Sequence, residues 1–159
     1  MDETHIKVGK TCKYLYRAAD KEGQTIEFML SAKRDVYAVK RFFKKTMKAE
    51  QRRLPFSVSA DKNAAYPEAF STSQAEGIVP WDCKLRRVKY LNNVIEQHHR
   101  FIKKKVRASQ CFKRFHTAER TIEGLEAVNM MRKGQVKGLA GSDAKGQATF
   151  VASLFGIAA

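Results

Sequence analysis

The stretch from His5 to Ser31, HIKVGKTCKYLYRAADKEGQTIEFMLS, decides the fold. His5-Ile6-Lys7-Val8 alternates apolar and polar residues and stops at Gly9-Lys10, a turn signal. Cys12 to Ala19 alternates again, with Cys12, Tyr14, Tyr16 and Ala18 on one face and Lys13, Leu15 and Arg17 on the other. Asp20-Lys21-Glu22-Gly23 reads as a hairpin loop, and Thr25 to Ser31 as a third strand rich in Ile, Phe, Met and Leu. Loops this short join antiparallel neighbours, so the stretch predicts a three-stranded meander.

Beyond Ser31 the apolar period changes from two to 3.6. Asp35 is the expected N-cap of a helix that buries Val36, Val39, Phe43 and Met47, with Lys40, Arg41, Lys44, Lys45 and Lys48 solvated, and Arg52-Arg53-Leu54-Pro55 ends it. Phe56 to Ala60 is a short strand running into Asp61. The carboxyl end of a strand after a crossover helix is where α/β folds place ligands, although an Asp before Lys62-Asn63 is also an ordinary turn or cap residue. Tyr66 to Ala75 predicts a short helix with Pro67 in its first turn, and Cys83 to Val88 a short strand. A helix from about Thr117 carries Ile122, Leu125, Val128 and Met131 as its expected core stripe. Gly134, Gly138, Gly141 and Gly146 then mark a flexible connection to an apolar end, Phe150 to Ala159.

The helix around Tyr90 to Arg107 has two unlike faces. Leu91, Ile95, Ile102 and Val106 form an apolar stripe. Asn92, Glu96, His99, Arg100, Lys103 and Arg107 form the opposite one. Glu96 is the only acid between Lys84 and Arg114, in a field of Lys and Arg. By spacing alone it makes an i,i+4 pair with Arg100 or serves as a divalent-metal ligand held near phosphates by its basic neighbours.

Composition narrows the partners. The chain has 159 residues, enough for one domain with a proper core, and a net charge of +15. That charge favours polyanions, nucleic acid ahead of an anionic membrane surface, and the sequence has no apolar run long enough for a span. Asp2, Glu3 and Lys7 stand where a signal peptide would be apolar. Cys12, Cys83 and Cys111 are odd in number and widely spaced, which suits a reducing cytosol. Zinc through Cys83, His98, His99 and Cys111 lacks any CxxC or HxxxH spacing.

Taken in order, these elements are three antiparallel strands, a helix, a strand, a helix and an acid-bearing helix, with 34 residues between Asp61 and Glu96. The chain resembles the DDE-type transposases of bacterial insertion sequences, closest to the insertion-sequence-six family. The residues carrying the match are Met1 to Val8; Tyr14-Leu15-Tyr16-Arg17-Ala18 with Asp20; Leu30-Ser31 with Arg34-Asp35; Asp61-Lys62; and Lys89-Tyr90-Leu91-Asn92-Asn93 with Ile95-Glu96-Gln97, His99 and Arg100. The resemblance spans essentially the whole chain. It implies a ribonuclease H-like (retroviral-integrase-like) α/β fold, a mixed sheet flanked by helices. Residues 1–138 would form the core, and 139–159 a Gly-rich apolar tail packing on it.

The resemblance also implies Asp2, Asp61 and Glu96 as catalytic triad and metal ligands for two Mg²⁺ or Mn²⁺ ions, catalysing phosphodiester cleavage and strand transfer in DNA transposition. Hard cations take oxygen ligands, so carboxylates suit this work where Cys or His would not. Lys84, Arg86, Arg87, Lys89, Asn92, His99, Arg100, Lys103 and Arg107 would contact transposon-end and target DNA, chiefly at phosphates. A homodimer or larger assembly is implied, with the bacterial cytoplasm and nucleoid as the location. Members of the family carry a DNA-binding region before the first acid. This chain starts one residue before Asp2, so an N-terminally truncated copy with impaired activity is expected. The alternative is a noncatalytic basic DNA-binding fragment that modulates a full-length transposase.

Overall fold

The computed structural model describes residues 1–49, 54–88, 93–108 and 112–157, with backbone alone at 93–98 and 108. The meander forms as the alternation predicts: β1 (Asp2–Val8), β2 (Thr11–Ala19) and β3 (Thr25–Ser31) pair antiparallel in the order β1-β2-β3. Gly9 and Gly23 supply the positive φ angles (59° and 80°) that the two tight connections require. β1 buries Thr4, Ile6 and Val8 and exposes His5 and Lys7. β2 is buried on both faces from Leu15 to Ala18, as befits a central strand with cover on each side.

Helix α1 (Val36–Ala49) starts at the expected cap, where Asp35 Oδ1 accepts the Ala38 N–H at 2.8 Å. β4 (Ser57–Ala60) follows, then α2 (Ala65–Ala75) and β5 (Lys84–Arg87), which pairs parallel to β4 from Ser57↔Lys84 to Ala60↔Arg87. α1 lies on α2 and β3. Tyr16, Ala18, Met29, Val39, Phe42, Phe43, Val58, Ala60, Tyr66 and Phe70 make one core beneath them, joining residues of both strand groups. Phe43 meets the rings of Phe70 and Tyr66 edge-on, with centroids 5.8 and 6.3 Å away. α3 (Asn93–Ala108) lies against β1 and β2, with Ile102 and Val106 buried as the stripe predicts. Leu91 lies outside the described residues.

The chain divides into two compact units, Met1–Ala118 and Glu119–Ala159, a cut that falls inside α4 (Phe115–Arg132). The expected core stripe of α4 needs correction. Ile122 and Met131 are buried, but Val128 is 43% exposed, and the fully buried row runs Ala118, Ile122, Glu126. A four-residue step therefore sets the inward face, and it carries an acid in. α5 (Ala144–Leu154) takes in Gly146 of the expected flexible connection and the first part of the apolar end, and it is capped by Asp143, whose Oδ1 accepts from Gly146 N at 2.8 Å. Among the described residues no helix is long and apolar enough to cross a membrane.

Candidate active site

The site forms where the start of β1 meets the end of β4. The Met1 backbone nitrogen donates to the Ser59 carbonyl at 2.5 Å, so the two strands adjoin there. Asp2 opens β1 and Asp61 follows directly on β4, which brings two acids 59 positions apart (61 − 2) to one corner. Asp61 Oδ1 accepts from the Lys62 N–H at 2.7 Å, and Asp2 Oδ1 from the Glu3 N–H at 2.8 Å. Each carboxylate is thus aligned by the backbone N–H of the residue that follows it.

A polar lattice fixes the corner. Asn63 Nδ2 donates to Glu3 Oε1 and Oε2 at 2.9 and 3.2 Å, while Asn63 Oδ1 accepts from Ala65 N at 3.1 Å at the start of α2. Arg34 completes the grip on Glu3 with an ion pair. The Glu3 side chain is only 5% exposed, so its charge is compensated where water scarcely reaches. Arg87 Nη2 donates to the Lys62 carbonyl at 2.9 Å and ties β5 to the same loop. The Tyr66 hydroxyl lies beneath. Burial first, then the negative charges of Glu3, Asp2 and Asp61, push its pKa well above the ordinary tyrosine range.

α3 supplies the third side of the corner. His99 is 5% exposed, and its Nε2 lies 3.5 Å from Asp2 Oδ2, at the outer edge of hydrogen bonding. His99, expected among the DNA contacts, is therefore buried and packs against Asp2. Burial lowers the His99 pKa, opposed by the hydrogen-bonding reach and charge of Asp2 and reinforced by Arg17 and Lys103. Arg17, opposite Asp2 in the strand register, is fully buried, and burial lowers its pKa to about 10. Glu96 lies one helical turn before His99, which puts its backbone on the side of α3 that approaches Asp2. The Glu96 side chain is outside the described residues, as are Lys89 and Asn92.

The donor set fits a hard divalent cation. Asp2 and Asp61 present carboxylate oxygens at one half-buried corner, with a third acid on the adjoining helix. Among the described side chains no group of three His, Cys, Asp or Glu converges on a metal position. Of the residues weighed for zinc, Cys83 is buried in the apolar core, where burial and then Asp82 raise its thiol pKa, and His99 packs against Asp2, while Cys111 and the His98 side chain lie outside the described residues. Among the expected DNA contacts, Lys84, Arg86, Arg87, Arg100 and Arg107 are exposed and Lys103 is half-buried.

Sequence reading missed Glu3, Asn63, Arg34 and Tyr66 as builders of the site. The Asn63–Glu3 tie spans 60 positions and leaves no local signature. The only available signal was that Glu3 and Arg34 both fall within the motifs of the resemblance.

The molecule is thus an α/β domain whose acids gather at adjoining strand ends, the layout of a carboxylate-centred site. Residues 1–135 match the DDE domain family. The transposase for insertion sequence-like element IS431mec from Staphylococcus aureus (strain Mu50 / ATCC 700699) is 35% identical over 133 residues, 84% of this chain and 57% of that protein. The transposase for insertion sequence element IS257 in transposon Tn4003, also from Staphylococcus aureus, is similar to the same degree. An uncharacterized Yersinia pseudotuberculosis protein, pYV0051, is 34% identical over 85 residues, 53% of this chain and 79% of that one. No solved structure matches. The chain belongs to the DDE transposases of the insertion-sequence-six family, as a catalytic domain, and it spans 57% of the length of the curated transposases it matches.

Proposed function

We propose that the domain cleaves DNA phosphodiesters and joins the freed 3′ ends to new DNA, the work of a transposase, with Asp2, Asp61 and Glu96 as its acids. The observation that carries this is the convergence of Asp2 and Asp61 at one corner, locked by Asn63 and Glu3, with α3 held against Asp2 through His99. The strand contact at Met1 and Ser59 would join the two groups in the order β3-β2-β1-β4-β5, which favours a ribonuclease H-like sheet. Three acids gathered at one corner would repel one another without a cation between them, which argues against a purely structural role. Two Mg²⁺ or Mn²⁺ ions, when bound, supply Lewis-acid activation of the phosphoryl oxygen and of the attacking hydroxyl.

The chain's own residues do the rest. Asp2 and Asp61 offer their oxygens from backbone-aligned positions, and Glu96 completes the set from α3. His99 orients Asp2 from α3. Lys84, Arg86, Arg87, Arg100, Lys103 and Arg107 hold phosphates and set the register of the strand without reading bases. Transposase work also implies paired DNA ends, hence a dimer or larger assembly, and a location with the bacterial nucleoid.

The test is Glu96→Gln. Metal-dependent nicking of supercoiled DNA should fall by about a hundredfold or more, while DNA affinity measured in EDTA stays unchanged. Nicking that persists unchanged in this variant removes Glu96 from the reaction.

A further inference from the structure

Opposite the acid corner, the other end of the β4–β5 pair carries exposed aromatic residues. Trp81 is 89% exposed and Phe56 84%. Isolated apolar residues on a surface are ordinary, but Trp81 is presented by a built device. It sits in a tight turn closed by Cys83 N donating to Pro80 O at 3.1 Å. The Gln74 side chain grips that turn from α2, its Nε2 reaching the carbonyls of Pro80, Trp81 and Cys83 at 2.9, 3.1 and 3.0 Å. An amide nitrogen has two hydrogens, so one of these bonds is shared. The result is a rigid backbone that holds a large ring out in water.

Phe56 flanks the turn. Its carbonyl accepts from Lys84 N at 2.9 Å at the start of β5. From there Lys84 and Arg86 share one face of the strand, and Arg87 reaches the loop of Asp61. Four residues of strand cover about 13 Å, a few nucleotides of DNA. A basic track thus connects the aromatic end to the acid end.

We propose that Trp81, with Phe56 beside it, is a stacking platform for an unpaired base of the DNA whose backbone lies along Lys84 and Arg86 toward the acid corner. It rests on the reading of the domain as one that processes DNA. The net charge of +15 and the basic edge of β5 favour a nucleic acid over a protein as the occupant. Every base has a π-face, so the platform is sequence-tolerant and suits strands opened next to a cleavage point.

Trp81 is the chain's sole tryptophan, which makes intrinsic fluorescence a direct probe. The full chain is titrated in EDTA with a blunt duplex and with the same duplex carrying a short thymine overhang. Emission should be quenched by the overhang DNA and much less by the blunt one. Trp81→Ala should weaken overhang binding, followed by anisotropy of labelled DNA, by about 5- to 100-fold and leave blunt binding unchanged. Trp81→Phe should recover most of the loss. Lys84→Ala with Arg86→Ala should weaken both DNAs alike and lower the salt slope by about two. Equal quenching by both DNAs, or equal loss on both in Trp81→Ala, overturns the platform. So does unchanged DNA binding with loss of self-association in the ultracentrifuge, which would make the surface a protein contact. Wild-type chain that binds neither DNA fails the DNA reading itself, a different outcome from a silent Trp81→Ala.

Discussion

The two ends of the β4–β5 pair are each fixed by one side-chain amide, yet they present opposite chemistry. At the carboxyl end Asn63 spans 60 positions to grip Glu3, and the carboxylates of Asp2 and Asp61 sit half-buried beside it. At the amino end Gln74 reaches only six to nine positions to hold a turn, and the ring it presents stands in solvent. The acid end is held by ties distant in sequence, so its geometry exists only in the folded core. The aromatic end is held by local ties, so it can be disturbed alone. Breaking each amide separately should therefore separate chemistry from recognition.

The largest expected effect removes the distinction. Phe43→Ala empties the core beneath both ends, where Phe43 meets Tyr66 and Phe70, and should cost about 3–5 kcal/mol by urea denaturation. Asn63→Ala strikes the acid end alone. It leaves Glu3 with Arg34 and should cost about 1–3 kcal/mol, with a clear fall in metal-dependent nicking and unchanged Trp81 emission. Gln74→Ala strikes the aromatic end alone. It should cost about 1–2 kcal/mol, lower the fluorescence anisotropy of Trp81 and leave nicking of duplex DNA at the wild-type rate. Asp35→Ala touches neither end. Loss of the α1 cap should cost about 1 kcal/mol, with activity per folded molecule unchanged.

The same contrast explains what could be read from the sequence. The meander was legible because period two is a local pattern, and the Asp35 cap because its partner lies three residues away. The strand ending on Asp61 was legible too, since a crossover helix precedes it. Site geometry was not. Helical spacing placed His99 with Arg100 and Lys103, but helix faces are assigned by hydrophobicity, and here a carboxylate waits on the inner side. Glu126 repeats the lesson in α4, buried where Val128 was expected and lies 43% exposed. An apolar residue reads as core by default, so nothing in Gly77-Ile78-Val79-Pro80-Trp81 distinguished buried Val79 from Trp81 in water. Polar ties such as Asn63 to Glu3 need the fold before they can be seen.

The central claim is that Asp2, Asp61 and Glu96 share one hard-cation site. Calorimetric titration of the full chain with Mn²⁺, beside Asp61→Asn and Glu96→Gln, tests it without any need for turnover. The wild-type chain should bind Mn²⁺, and each variant should bind about tenfold or more weakly while keeping the wild-type circular dichroism spectrum and urea midpoint within about 1 kcal/mol. Wild-type affinity in both folded variants would contradict the account, because the acids would then not belong to a common site.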